Sequence, residues 1–116
     1  MSKEVAESIA NKLNYRFEGS TVIAVVQDYE SNEVLMVGHM SREALVKTLT
    51  TGYLHLWSLS RGRLWLKGEL SGNYQLVMDV LIDCDSDSVL IKVKSLGPIC
   101  HTGSKTCFFR KILELV

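Results

Sequence analysis

No stretch of this chain approaches the roughly 18 consecutive apolar residues that a membrane-spanning helix needs, and its start, Met1-Ser2-Lys3-Glu4, lacks the apolar segment of a secretory leader. Charge of one sign is missing as well. The 13 Lys and Arg residues balance 13 Asp and Glu, so no broad field draws the protein to nucleic acid or to a membrane surface, and an anionic ligand must be held by local basic groups. Internal repeats, low-complexity tracts and linkers are absent. Cysteine is scarce and odd in number, with 3 residues in 116, which argues against a disulfide framework and leaves metal binding, catalysis or plain burial. These absences predict a cytoplasmic protein with one domain over residues 1–116. At 47% apolar and 22% charged residues it is large enough for a core and too small for a second catalytic domain.

Val5, Ile9 and Leu13, with Ala6 and Ala10 alongside, recur at helical spacing behind Ser2, which predicts a short helix over residues 3–13 ended by Asn14. The β-branched and apolar runs Thr21 to Gln27 and Val34 to Val37 flank a polar turn and read as a hairpin. Ser41 is a good N-cap for a second helix that places Ala44, Leu45 and Leu49 on one face and closes at Gly52. Tyr53 to Ser58 alternates and turns at Arg61-Gly62 towards Leu64-Trp65-Leu66; Gln75 to Ile82 and Val89 to Val93 are apolar strands. Phe108 to Leu115 adds a strand or a short helix. With no βαβ rhythm, the expected class is α+β, mostly antiparallel β with two short helices.

The chemistry-bearing residues cluster in the second half. Asp83, Asp85 and Asp87 share one face if their segment is extended, and three converging carboxylates repel unless a cation joins them; a polar loop tip between two apolar strands is the ordinary alternative. Cys84, between two of these aspartates, then points to the opposite face. Cys100 and Cys107 are separated by a loop containing Gly103, long enough to fold back and let both bind one ion; burial as packing thiols is the competing reading. Thiolates suit Zn²⁺ and carboxylates suit Mg²⁺, so the two sets imply two metals. His101 adjoins Cys100 as a general base or further ligand, with His39 and His55 weaker claimants. Arg61, Arg63 and Lys67, near Glu69 and the Ser71-Gly72 turn, form either an anion site or a solvated face.

In order along the chain, Val26-Gln27-Asp28, Glu33-Val34-Leu35-Met36, Arg42-Glu43-Ala44-Leu45, Trp57-Ser58 with Ser60-Arg61, Leu64-Trp65 with Lys67-Gly68-Glu69, Ser71-Gly72, Asp83-Cys84-Asp85 and Cys100-His101-Thr102-Gly103 with Cys107-Phe108 resemble the phosphoribosyl-AMP cyclohydrolase family. The likeness runs from about Thr21 to Arg110. It implies hydrolysis of the N1–C6 bond of the adenine ring of phosphoribosyl-AMP in histidine biosynthesis, by a zinc-activated water with magnesium as second metal. It also implies a homodimer with metal sites at the interface. Zinc would be shared by Cys84 of one chain and Cys100 and Cys107 of the other, and magnesium held by Asp83, Asp85 and Asp87. His101 would assist the water, and the stretch holding Trp57, Ser60, Arg61, Lys67, Glu69, Ser71 and Gly72 would bind substrate.

The sequence departs from the family pattern at Leu59, where an arginine is usual, at Asn73, where histidine is common, and at Leu70, where a small hydroxyl residue is frequent. All three fall in the substrate region. They keep two alternatives in view, a non-catalytic dimer stapled by zinc and a related nucleotide hydrolase. The paired Cys-x-x-Cys and His-x-Glu signatures of nucleobase deaminases are absent.

Overall fold

A computed structural model describes residues 1–116. The helix α1 spans Lys3–Ala10, with the Ser2 side chain accepting the Val5 N–H, and it stops at Asn11, three residues before Asn14. Only Ala6 and Ala10 of its apolar stripe are fully buried; Val5 stays exposed. The second helix, α2, spans Arg42–Thr51. Ser41 Oγ accepts the Ala44 N–H at 3.1 Å, and Gly52 ends the helix in the left-handed region at φ 78°. Both caps stand where the sequence put them, because each satisfies backbone groups that a helix end leaves unpaired.

The strands are β1 (Thr21–Asp28), β2 (Val34–Ser41), β3 (His55–Ser58), β4 (Arg63–Leu66), β5 (Gln75–Ile82) and β6 (Ser88–Ser95). They form one sheet in the order β4-β3-β2-β1-β6-β5. The closing segment is a 3₁₀ turn over Ile112–Leu115. The hairpins β1–β2, β3–β4 and β5–β6 are antiparallel as expected, but β1 and β6 pair in parallel, Ile23 opposite Ser88 through Asp28 opposite Val93. The sheet is therefore mixed. Alternation and β-branching report burial, and they carry no information on which way a distant strand runs when it joins an open edge.

Core residues come from the centre of the sheet and the helix faces laid on it. Val22, Ala24, Val26, Leu35, Leu45, Leu54, Ile91 and Val93 have at most 1% of their surface exposed. Each large aliphatic side chain so buried contributes roughly 1.5–3 kcal/mol. The sheet also curls. Tyr53, just before β3, bridges Leu76 in β5; Leu54 N–H donates to the Gln75 carbonyl at 3.0 Å, and Val77 N–H to the Gly52 carbonyl at 2.8 Å. This brings the turn after β4 next to the loop after β6.

Candidate metal and substrate site

A cleft of about 400 Å³ opens between the β3–β4 hairpin with its following turn and the loop after β6. One wall supplies Arg61, Lys67, Glu69 and Ser71, and the other supplies Cys100 and His101. On the first wall, Arg63 Nη2 meets Glu69 Oε1 at 2.7 Å, so the charge of Arg63 is matched within the wall. Arg61 and Lys67 make no ion pair. The Lys67 ammonium lies 5.0 Å from the centre of the Trp65 ring, an attraction worth about 0.5–2 kcal/mol. Burial holds its pKa below the ordinary lysine value, opposed by the nearby thiols of Cys107 and Cys100. A half-buried cation therefore stands on this wall of the cleft.

The cysteine loop folds back through its own backbone. Gly103 N–H donates to the Cys100 carbonyl at 3.0 Å and Cys100 N–H to the Ser104 carbonyl at 3.2 Å. Its far end is tied to β2, where Cys107 N–H donates to the Leu35 carbonyl at 2.8 Å and Thr106 Oγ1 to the Val34 carbonyl at 2.8 Å. The two thiols thus lie side by side. Thr102 Oγ1 donates to Cys100 Sγ at 3.1 Å, and this hydroxyl, aided by the Thr102 backbone N–H, draws the Cys100 thiol pKa down. Cys107, exposed overall, has its thiol turned towards Cys100 and partly shielded; that shielding and its neighbour push its pKa up. A thiol pair with one member's pKa lowered suits a thiophilic ion such as zinc.

Asp83, Asp85 and Asp87 place their ligand atoms within 4.8 Å of one another. The convergence predicted for an extended segment arises from a different geometry, the turn between β5 and β6. Asp83 Oδ1 accepts the N–H groups of Asp87 at 3.0 Å and Ser88 at 3.1 Å, while Ser86 adopts φ 62°. Against a burial penalty, those N–H bonds and contacts with Asp85 and Asp87 hold the Asp83 carboxyl below its usual range. Asp85 moves the other way, raised by hydrogen bonding and repulsion from Asp83 and Asp87. Buried Asp87 meets Arg16 Nη1 at 3.3 Å. One arginine leaves the cluster short of positive charge, and a hard divalent cation of the magnesium type fits that donor set.

Cys84 sits exposed on this same turn and does not join Cys100 and Cys107. The three aspartates are the only group of three or more potential ligands that converges within the chain. Trp57, Ser60 and Gly72 lie outside the cleft lining. Trp57 pairs opposite His39, and a methyl group at Gly19 would come within 3.1 Å of its Nε1; Ser60 Oγ lies 3.3 Å from Ser58 Oγ. Of the histidines, His101 is exposed at the cleft. His39 Nδ1 is bound to Thr21 Oγ1 at 2.9 Å and His55 Nδ1 to the Tyr53 carbonyl at 2.8 Å, so both serve the fold. Sequence reasoning gave Thr102 no role of its own, although a hydroxyl two residues after a cysteine is a readable signal. It also missed Arg16, which reaches Asp87 across 71 positions and leaves no such signal.

Comparison with known proteins follows the same lines. The sequence model of the family described as Phosphoribosyl-AMP cyclohydrolase matches residues 36–109. A protein of that name from Sulfurisphaera tokodaii is 58% identical over 116 residues, covering 100% of this chain and 98% of the relative. Another, from Saccharolobus solfataricus, is 69% identical over 81 residues, covering 70% of this chain and 95% of its own length. A third, from Pyrobaculum calidifontis, is 58% identical over 105 residues, 90% of this chain and 82% of the relative.

Proposed function

The chain belongs to the phosphoribosyl-AMP cyclohydrolase family of hydrolases in histidine biosynthesis, and from that premise we propose that the cleft beside Cys100 binds phosphoribosyl-AMP and directs water to C6 of its adenine ring. The observation that carries this reading is the meeting, in one cleft, of the Cys100 thiol and His101 with the unpaired cations Arg61 and Lys67. A nucleotide needs both. Its phosphates require fixed cations, and the ring between its two phosphoribosyl arms requires a nucleophile within reach of C6.

In this proposal Cys100, Cys107 and Cys84 of a second copy hold zinc, and Asp83, Asp85 and Asp87 hold magnesium. When bound, zinc supplies the Lewis acidity that makes water a nucleophile near neutral pH, and magnesium supplies positive charge beside the nucleotide. The chain's own groups do the rest. Arg61 and Lys67 bind phosphate and so fix the ring's position. The His101 imidazole takes the proton released as water attacks C6 and returns it to N1 as the N1–C6 bond breaks. The second water proton goes to the exocyclic nitrogen, an imine in the neutral N1-substituted ring, as C6 becomes the carbonyl carbon of a carboxamide.

Support for the second copy comes from what borders the divided cysteines. Leu81 and Ile82, just before Cys84, are 45% and 43% exposed; Phe108 and Phe109, just after Cys107, are 60% and 50% exposed. Exposed apolar groups beside each half of a ligand set are what an interface requires. No helix is long and apolar enough to cross a membrane.

The test is an ultraviolet assay of ring opening with zinc-loaded protein, phosphoribosyl-AMP and Mg²⁺, run beside a chelator-treated control. Metal-dependent turnover is expected. Folded, zinc-containing protein without turnover would sink the reading. Sharing across the dimer is tested by mixing Cys84→Ala with Cys107→Ala, each inactive alone. Random exchange gives half the dimers one intact site of two, so about a quarter of wild-type activity should return.

A further inference from the structure

We propose that Gln75 is a positioning residue that fixes the separation of the two cleft walls, through hydrogen bonds from one buried amide to both. Gln75 opens β5 and is 0% exposed. The wall that carries Lys67, Glu69 and Ser71 ends at Asn73, and the wall that carries Cys100 and His101 begins at Gly97. The Gln75 Nε2 group has two hydrogens. It donates to the Asn73 carbonyl at 3.1 Å and to the Gly97 carbonyl at 3.3 Å. Its Oε1 accepts the Ser95 hydroxyl, and Ser95 is the residue paired with Gln75 across β5 and β6.

Three consequences follow from this arrangement. The amide is satisfied at both ends, as a buried polar side chain must be to avoid a penalty of about 1–3 kcal/mol. Its orientation is also fixed, because a flipped amide would set Oε1 against two carbonyl oxygens and its nitrogen against Ser95. Finally, the same two segments also touch directly beside the clamp. Leu96 N–H donates to the Tyr74 carbonyl at 2.9 Å, and a methyl group at Gly97 would overlap the Asn73 side chain.

Neither Gln75 nor Ser95 lines the cleft. Their effect on the reaction passes through the distance between the cations on one wall and the thiol and imidazole on the other. That distance matters if the cleft holds the nucleotide as proposed above, on which this inference rests. A substrate fixed through its phosphate on one wall presents its ring correctly to the other only at one wall separation, and a misplacement of about 1 Å costs on the order of a hundredfold in rate.

The test uses full-length, metal-loaded protein. Gln75→Met keeps the length of the side chain and removes both donors; Ser95→Ala leaves both donors in place and removes only the hydroxyl that Oε1 accepts. Assayed well below its melting midpoint, Gln75→Met should retain zinc yet lose roughly tenfold or more in kcat/KM, with kcat falling more than KM rises. Ser95→Ala should lose less, and should have no further effect on kcat/KM when added to Gln75→Met. In wild-type protein the side-chain amide protons of Gln75 should exchange slowly with solvent by NMR. Should Gln75→Met fail to fold, Ser95→Ala and the exchange measurement carry the test. A folded Gln75→Met protein within twofold of wild-type kcat/KM, or amide protons exchanging as fast as those of an exposed glutamine, would overturn the clamp. If the wild-type protein opened no ring, the reading of the cleft would fail and Gln75's role in the reaction with it; wild-type turnover beside an unaffected Gln75→Met fails the clamp alone.

Discussion

Gly68 offers a perturbation whose size can be worked out before it is made. It lies between Lys67 and Glu69 on the cleft wall, is buried, and adopts φ 96°. A methyl group there would stand 2.6 Å from both the carbonyl carbon and oxygen of Asn73. These are backbone atoms and cannot rotate away. Gly62 is the natural control, since it has φ 60° and a methyl group added there would find nothing within 4 Å. Gly62→Ala should therefore register backbone strain alone, about 1–2 kcal/mol, reduced by roughly 0.4–1 kcal/mol because alanine restricts the unfolded chain. Gly68→Ala carries at least that strain, its φ lying farther from the left-handed α region, plus a steric displacement of about 1–3 kcal/mol. Urea unfolding of both variants measures the difference directly, and at roughly 4 °C per kcal/mol for a domain of this size the melting midpoints should differ by about 4–12 °C. Because the clash pushes Asn73 and so the turn after β4, Gly68→Ala should also weaken substrate binding, while Gly62→Ala should have much less effect. Equal destabilisation by the two substitutions would show that Gly68 does not lie against Asn73 and would remove the close approach on which this wall's shape depends.

Tyr15 donates its hydroxyl to the Ala10 carbonyl at 2.8 Å, and burial raises its pKa from 10.0 to about 12 despite the nearby charge of Arg42. Its contribution is complete below pH 10.0 and is lost as pH rises through about 12. Discounted for its partial exposure, that contribution is roughly 1–2 kcal/mol, so stability measured by urea unfolding should fall less steeply above pH 10.0 in Tyr15→Phe than in the wild type; identical slopes would refute the assignment. Ser41→Ala removes the acceptor for the Ala44 N–H and should cost about 1 kcal/mol in the same assay, with no change in zinc content. If Mg²⁺ binds the aspartates as proposed, it should raise the melting midpoint of the chelated wild-type protein, and Asp85→Asn should abolish that rise while leaving zinc binding intact. Without Mg²⁺ it should be no less stable than wild type near neutral pH, because it relieves repulsion among Asp83, Asp85 and Asp87; a marked loss would mean that the carboxylates are held by something other than a cation.

What the sequence disclosed and what it withheld divide along a physical line. Caps and strands act locally: Ser2, Ser41 and Gly52 complete hydrogen bonds within a few residues, and the apolar runs of β5 and β6 need only a neighbour of either sense. The parallel pairing of β1 with β6 is not local, because it depends on which end of the open β1 edge the β5–β6 hairpin enters, and no residue in either strand encodes that. The aspartates were legible as a cluster but for the wrong geometry, since a tight turn held by Asp83 Oδ1 brings i, i+2 and i+4 together as well as an extended strand does. Gln75 was legible only as the start of a strand, its two acceptors lying in loops on either side of the cleft. The cysteines lie at the far end of this scale. Cys100 and Cys107 are joined by their own loop and tied to β2, but Cys84 sits on a turn that brings it to neither, with exposed apolar side chains beside it. Under the proposed sharing of zinc, the third thiol comes from a second copy of the chain. The residues whose roles are hardest to read are the ones whose partners lie farthest away along the chain.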